Sequence, residues 1–133
     1  MTVVQVPPAH AEAMWPRVVG QVEAALVHSD GCYRAEDVRA AIAAGEWQLW
    51  TDGHSIACTR VAEYPARRVL FIVLASGGKE SVAPIWAALE RFARANRCKA
   101  INWMGRPGWR RSGFLPEGWR HTHDVMVVEL GDE

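Results

Sequence analysis

The chain has 133 residues, and 15 Lys and Arg balance 15 Asp and Glu for a formal net charge of zero. That balance argues against nucleic-acid binding through bulk positive charge, though a local basic patch stays open. Half of the residues are hydrophobic, which is enough to build one core, yet apolar runs such as "VLFIVLA" (69–75) are far too short to cross a bilayer.

The N-terminal "MTVVQVPPAH" has neither a basic start nor a long apolar stretch, so no secretory leader is expected. Cys32, Cys58 and Cys98 are odd in number and widely spaced, which fits neither a metal-ligand pair nor a disulfide framework. A reducing, cytoplasmic setting is the simplest expectation.

"TVVQV" opens as a short strand. In the following "PPAHAEAMWPRVVGQVEAALVHS", Met14, Val18, Val22, Ala25 and Leu26 recur at helical spacing, with Pro16 as a kink or restart. "SDGCY" breaks the chain. "RAEDVRAAIAAGE" reads as a second helix, with Glu36 and Asp37 near its start and Gly45 at its end. "WQLWT" and "SIACTRVAEY" flank Asp52 and Gly53, a strong turn pair, and so predict a hairpin.

"VLFIVLA" is rich in β-branched residues and apolar throughout, as in a strand covered on both faces. "SGGKES" ends it. "VAPIWAALERFARANR" then carries an apolar stripe of Ile85, Leu89, Phe92 and Ala93. "CKAINWM" reads as a strand, and "HDVMVVEL" as a last one. The strand–helix–strand unit over 69–104 has the length of a right-handed parallel crossover. The expected class is therefore α/β (α+β): one domain over 1–133, with a mixed, mostly antiparallel sheet and helices on both faces.

Several residues carry candidate chemistry. Gly77 and Gly78, before a helix, can offer backbone N–H groups to a phosphate, with Lys79 as a nearby point charge. The same pair can equally serve only as a turn. Arg106, Arg110, Arg111 and Arg120 form a basic cluster able to bind an anion or to lie solvated on the surface. His121 and His123 share a face if extended, but no further ligands accompany them and no metal is expected. Seven Trp suit core packing better than base stacking, because no basic-aromatic alternation accompanies them.

The order of elements, with "VLFIVLA", "SGGKES", the long helix and "CKAINWM", resembles the GCN5-related N-acetyltransferase (GNAT) superfamily across nearly the whole chain. "WRRSGF" (109–114) is similar to the short helix that closes the cofactor side of that fold. More narrowly, "RVLFIVLASGG" with "GRPGWRR" resembles small GNAT-like proteins of phages and prophages.

The resemblance implies acyl transfer from acetyl-CoA to an amine. It places the co-substrate against Leu74, Ala75, Ser76, Gly77, Gly78, Lys79 and Glu80, with Asn102 and Trp109 across the site. Backbone N–H groups near Leu74 and Ala75 are the implied oxyanion donors. Glu63, at the end of the strand preceding "VLFIVLA", is the nearest carboxylate for a general base.

Two departures stand out. The phosphate turn is short and lacks a leading basic residue. Trp109 also stands where many members carry a Tyr acid, and an indole cannot exchange a proton at neutral pH. Glu80 further competes with a phosphate for the same helix terminus. The alternative reading is a non-catalytic GNAT-fold protein that binds a partner, such as a phage or virion protein, with Trp109 filling the cleft. The amine acceptor is left open as a small molecule or a protein.

Overall fold

The computed structural model describes residues 3–105, 117–122 and 124–132. Its elements in chain order are β1 (Val4–Val6), α1 (Ala11–Leu26), α2 (Ala35–Ala43), β2 (Gln48–Thr51), β3 (Ile56–Glu63), β4 (Arg68–Ser76), α3 (Val82–Ala95) and β5 (Ala100–Trp103). A single 3-10 turn precedes α1 at Pro8–His10, and another precedes α3 at Lys79–Ser81. Pro16 lies inside α1 without dividing it. Pro84 falls in the first turn of α3, where a missing N–H costs no intrahelical bond. Asp37 accepts a hydrogen bond from the Arg34 N–H at 2.8 Å and so caps the start of α2.

The five strands form one sheet in the order β1-β2-β3-β4-β5. The first four pair antiparallel, and β4 pairs parallel with β5. The expected mixed sheet and the crossover through α3 are therefore present. Strand alternation sends side chains to two cores. On one face Leu49, Ile56, Cys58 and Leu74 pack against Trp15, Val18 and Val22 of α1 and Val38 and Ile42 of α2. On the other, Trp50, Ala57, Leu70 and Ile72 pack against Ala88, Leu89 and Ala93 of α3. A buried polar chain crosses the second core: Trp50 Nε1 donates to Thr59 Oγ1 at 2.9 Å, and Thr59 Oγ1 donates to Gln48 Oε1 at 2.8 Å.

One irregularity positions the site. Cys58 pairs with Leu74 while its neighbour Thr59 pairs with Ile72, so Val73 is an extra residue in β4. Such a bulge reverses the facing of the residues after it. Leu70 and Ile72 face α3, but Leu74 faces α1. The all-apolar run "VLFIVLA" hides this change of phase.

The expected last strand is a correction. Residues 124–130 form no strand, and Val125, Met126, Val127, Val128 and Leu130 stand exposed. Their β propensity is real, but a strand needs a partner to satisfy its backbone, and here none lies alongside among the described residues. The expected short helix at 109–114, with Trp109, Arg106, Arg110 and Arg111, lies outside the described residues.

Candidate functional site

The β4–β5 register runs from Val69↔Ala100 to Ile72↔Trp103 and stops there. β4 continues for four more residues to Ser76. Past the bulge at Val73 the two strands therefore part, and a cleft opens between them on the α3 face. Alternate N–H groups of a strand turn toward each neighbour. Those of residues 73–76 that turn toward β5 meet no strand among the described residues.

The cleft has a cavity volume of about 60 Å³ and opens to solvent. Its floor is Ala57, Ile72 and Ala75. One wall is the turn from Ser76 through Gly78 and the start of α3, and the other holds Trp103 and Trp119. Trp119 packs on Trp86 at 5.3 Å and on Trp103 at 6.5 Å between ring centroids. The Trp119 Nε1 is buried and has no hydrogen-bond partner among the described residues. A buried indole donor without an acceptor is costly, and it suits a site that receives a carbonyl.

The turn at the cleft mouth is built by close approach. Gly77 adopts φ of +137°, and a Cβ there would lie 1.8 Å from Ser55 Oγ and 2.9 Å from Ser55 Cα. Only glycine fits. Beneath it runs a buried polar brace. Ser55 Oγ donates to Ser81 Oγ at 2.8 Å, and Ser81 Oγ donates to Asp52 Oδ2 at 2.6 Å. Asp52 Oδ1 also accepts from the His54 and Ser55 N–H groups at 2.9 and 2.8 Å. Burial alone would raise the Asp52 pKa, but these donors outweigh it and hold the carboxyl below its ordinary value of 3.8. The brace fixes the first turn of α3 against the β2–β3 turn. Ser76 Oγ ties the end of β4 to Gln21 of α1 at 2.7 Å.

The expected site residues divide. Ala75 on the floor and Ser76, Gly77 and Gly78 on one wall come together in the cleft. Lys79 lies in the 3-10 turn leading to α3. Glu80 folds back over the turn, so that a Cβ on Gly78 would meet its carboxylate oxygens at 2.4 and 2.5 Å. The Leu74 side chain faces α1 rather than the cleft. Asn102 alternates with Ile101 and Trp103, which pack on the α3 core, and so stands on the opposite face of β5. Trp109 lies outside the described residues.

Glu63 is not brought to the cleft. It pairs with Arg68 at the β3–β4 turn, and β4 runs roughly 25 Å from there to the cleft mouth. Adjacency in sequence placed Glu63 near β4, but at the wrong end of it. No local signal in the sequence points to Asp52, Ser55, Ser81, Trp86, Trp103 or Trp119 for this site. Asp52 and Gly53 signalled the turn, yet the contact of Asp52 with Ser81 spans 29 positions and leaves no local mark.

No helix among the described residues is long and apolar enough to cross a membrane. No group of three metal-ligating side chains occurs among them, and His121 pairs with Asp124 at 2.9 Å.

No family model and no curated protein matches the sequence. Solved structures do match its shape. A probable acetyltransferase superposes with a TM-score of 0.68 at 14% identity, covering 100% of both chains. The fold is that of the GNAT acetyltransferases. A GNAT family acetyltransferase from Staphylococcus aureus gives 0.64 at 10% identity over 98% of this chain and 100% of its own. An aminoglycoside acetyltransferase from an uncultured soil metagenomic sample, solved with sisomicin, gives 0.62 at 10% identity over 96% of each chain.

Proposed function

We propose that the protein is an N-acyltransferase that moves an acetyl group from acetyl-CoA to an amine. The cleft where β4 and β5 part carries this reading, because it joins an apolar channel to a glycine turn at the start of a 14-residue helix. The residues fit the co-substrate. Gly77 and Gly78 leave the turn's backbone open to a pyrophosphate, and the α3 terminus favours an anion. The apolar channel suits a pantetheine arm, and the Trp119 Nε1 supplies a donor for one of its carbonyls.

Acetyl-CoA supplies the activated thioester. The amine nitrogen attacks the thioester carbon, the C–S bond breaks, and the amine gives up a proton as the thiol takes one. The chain's part is to orient the two reactants and to present the N–H groups of residues 73–76 to the developing oxyanion. Among the described residues the hydroxyls lining the cleft, Ser55, Ser76 and Ser81, already donate to Ser81, Gln21 and Asp52 respectively, and the Glu80 carboxylate lies over the glycine turn.

A small-molecule amine is the favoured acceptor, by likeness to the aminoglycoside enzyme. A cytoplasmic setting fits the supply of acetyl-CoA. The neighbours described above are acetyltransferases by their descriptions, which favours the catalytic reading over the non-catalytic alternative. Thiol release from acetyl-CoA, followed across a panel of polyamines, aminoglycosides and peptide N-termini, tests the reading. Turnover with one amine class supports it, and a flat response over the whole panel counts against it.

A further inference from the structure

The cleft is too small, as it stands, for the pantetheine arm of acetyl-CoA. A cavity of about 60 Å³ has room for about four waters at about 15 Å³ each, whereas small-molecule pockets run to about 300–1,000 Å³. The arm therefore enters only if a wall moves. Most of the walls are held. Ala57 and Ile72 of the floor lie buried in β3 and β4. α3 is packed on the sheet through Ala88, Leu89 and Ala93, and the Asp52–Ser81–Ser55 brace pins its start. Trp103 belongs to β5, which is paired with β4.

Trp119 is held differently. It lies in a stretch without helix or strand, and it is half-buried while Glu117, Gly118, Arg120 and His121 beside it are exposed. Its ring packs on Trp86 of α3 and on Trp103 of β5, so it spans from one side of the cleft to the other. Gly118, just before it, has φ of +96°, and nothing lies within 4 Å of where its Cβ would stand. Such a residue can absorb the backbone rotation of a hinge. Two ring contacts thus hold the indole in place, while its unpaired Nε1 opposes them. A side chain balanced in this way opens at little cost.

We propose that Trp119 is a gate on the channel. Its ring closes the space between α3 and β5 in the free protein and swings aside at Gly118 when the acyl-CoA arm enters; the ligand named here rests on the acyl-transfer reading. Once moved, the indole N–H reaches water or a carbonyl of the arm, and so gains the acceptor that it lacks when closed. A ligand that binds only the open form has its affinity reduced by the open fraction. With an open form of about 10% or less, the gate weakens CoA binding about ten-fold or more.

Calorimetric titration of CoA, together with fluorine NMR of protein labelled with 5-fluorotryptophan, tests the gate. Trp119→Ala removes it and is expected to bind CoA about ten-fold tighter than wild type. A ring that merely lined the channel would instead leave binding equal or weaker on removal, and that result overturns the proposal. In free wild type the Trp119 signal, assigned by its loss in Trp119→Phe, is expected to broaden by exchange between two positions and to shift on saturation with CoA. The signal of Trp15, in the core on the far face of the sheet, should do neither. Wild type that binds CoA with the Trp119 signal sharp and unmoved overturns the gate and leaves the acyl-transfer reading standing. Failure of both wild type and Trp119→Ala to bind CoA overturns that reading and the gate with it. Should Trp119→Ala not fold, free wild type decides: exchange at Trp119 supports the gate, and a single sharp signal at every temperature contradicts it.

Discussion

The Ser81 hydroxyl donates to the Asp52 carboxylate at 2.6 Å, and both residues are buried. This contact joins the start of α3 to the β2–β3 turn and so sets the height of the glycine turn at the cleft mouth. Removing either partner leaves a buried polar group unpaired. Ser81→Ala and Asp52→Asn should each lower stability by roughly 1–3 kcal/mol, read from urea melts.

The same pair predicts a pH dependence. The Asp52 pKa is lowered in the folded chain, so its contribution is fully present above the ordinary value of 3.8 and is lost as pH falls through the folded value. The stability gap between wild type and Asp52→Asn should therefore be constant near neutrality and shrink in acid below that value. A gap that widens in acid would contradict the assignment.

Gly77→Ala meets two obstacles, a φ of +137° and the Ser55 backbone at 2.9 Å. Backbone strain of this kind costs roughly 1–3 kcal/mol. Thermal melts should show the loss. Whatever CoA binding wild type has should fall further than in Ser81→Ala, because the turn itself is displaced.

Glu80 lays its carboxylate against Gly78, where the proposed pyrophosphate would sit. A charge near a helix terminus is worth about 0.3–1 kcal/mol. Glu80→Gln should therefore tighten CoA binding by about two- to five-fold, as 1.4 kcal/mol corresponds to ten-fold. Equal affinity in the two proteins would show that the side chain swings clear at no cost.

The three thiols should separate by reactivity. Burial pushes the Cys58 thiol up to about 12, and burial also raises Cys98, whereas Cys32 is exposed. Iodoacetamide on the native protein, read by mass spectrometry, should label Cys32 first and Cys58 only after unfolding.

Much of the fold was legible because its signals are local. The Asp52–Gly53 turn, the α3 stripe and the apolar β4 each follow from spacing within a dozen residues. The bulge at Val73 was not, because a strand apolar on both faces shows no break in alternation when one residue is inserted. The site was half legible. Gly77 and Gly78 mark the turn, but the brace beneath it joins residues 26 and 29 positions apart, and Trp86, Trp103 and Trp119 meet only when α3 folds back on β5. The exposed segment at 125–130 shows the opposite limit. Its residues favour a strand, and what decides is whether an edge lies beside it.

Calorimetric titration of the full chain with acetyl-CoA tests the acyl-transfer reading most directly, with desulfo-CoA and adenosine as controls. The account predicts saturable binding at one site per chain, weaker in Gly77→Ala and tighter in Glu80→Gln. Absence of heat, together with an unchanged melting temperature at millimolar acetyl-CoA on folded protein, would contradict it.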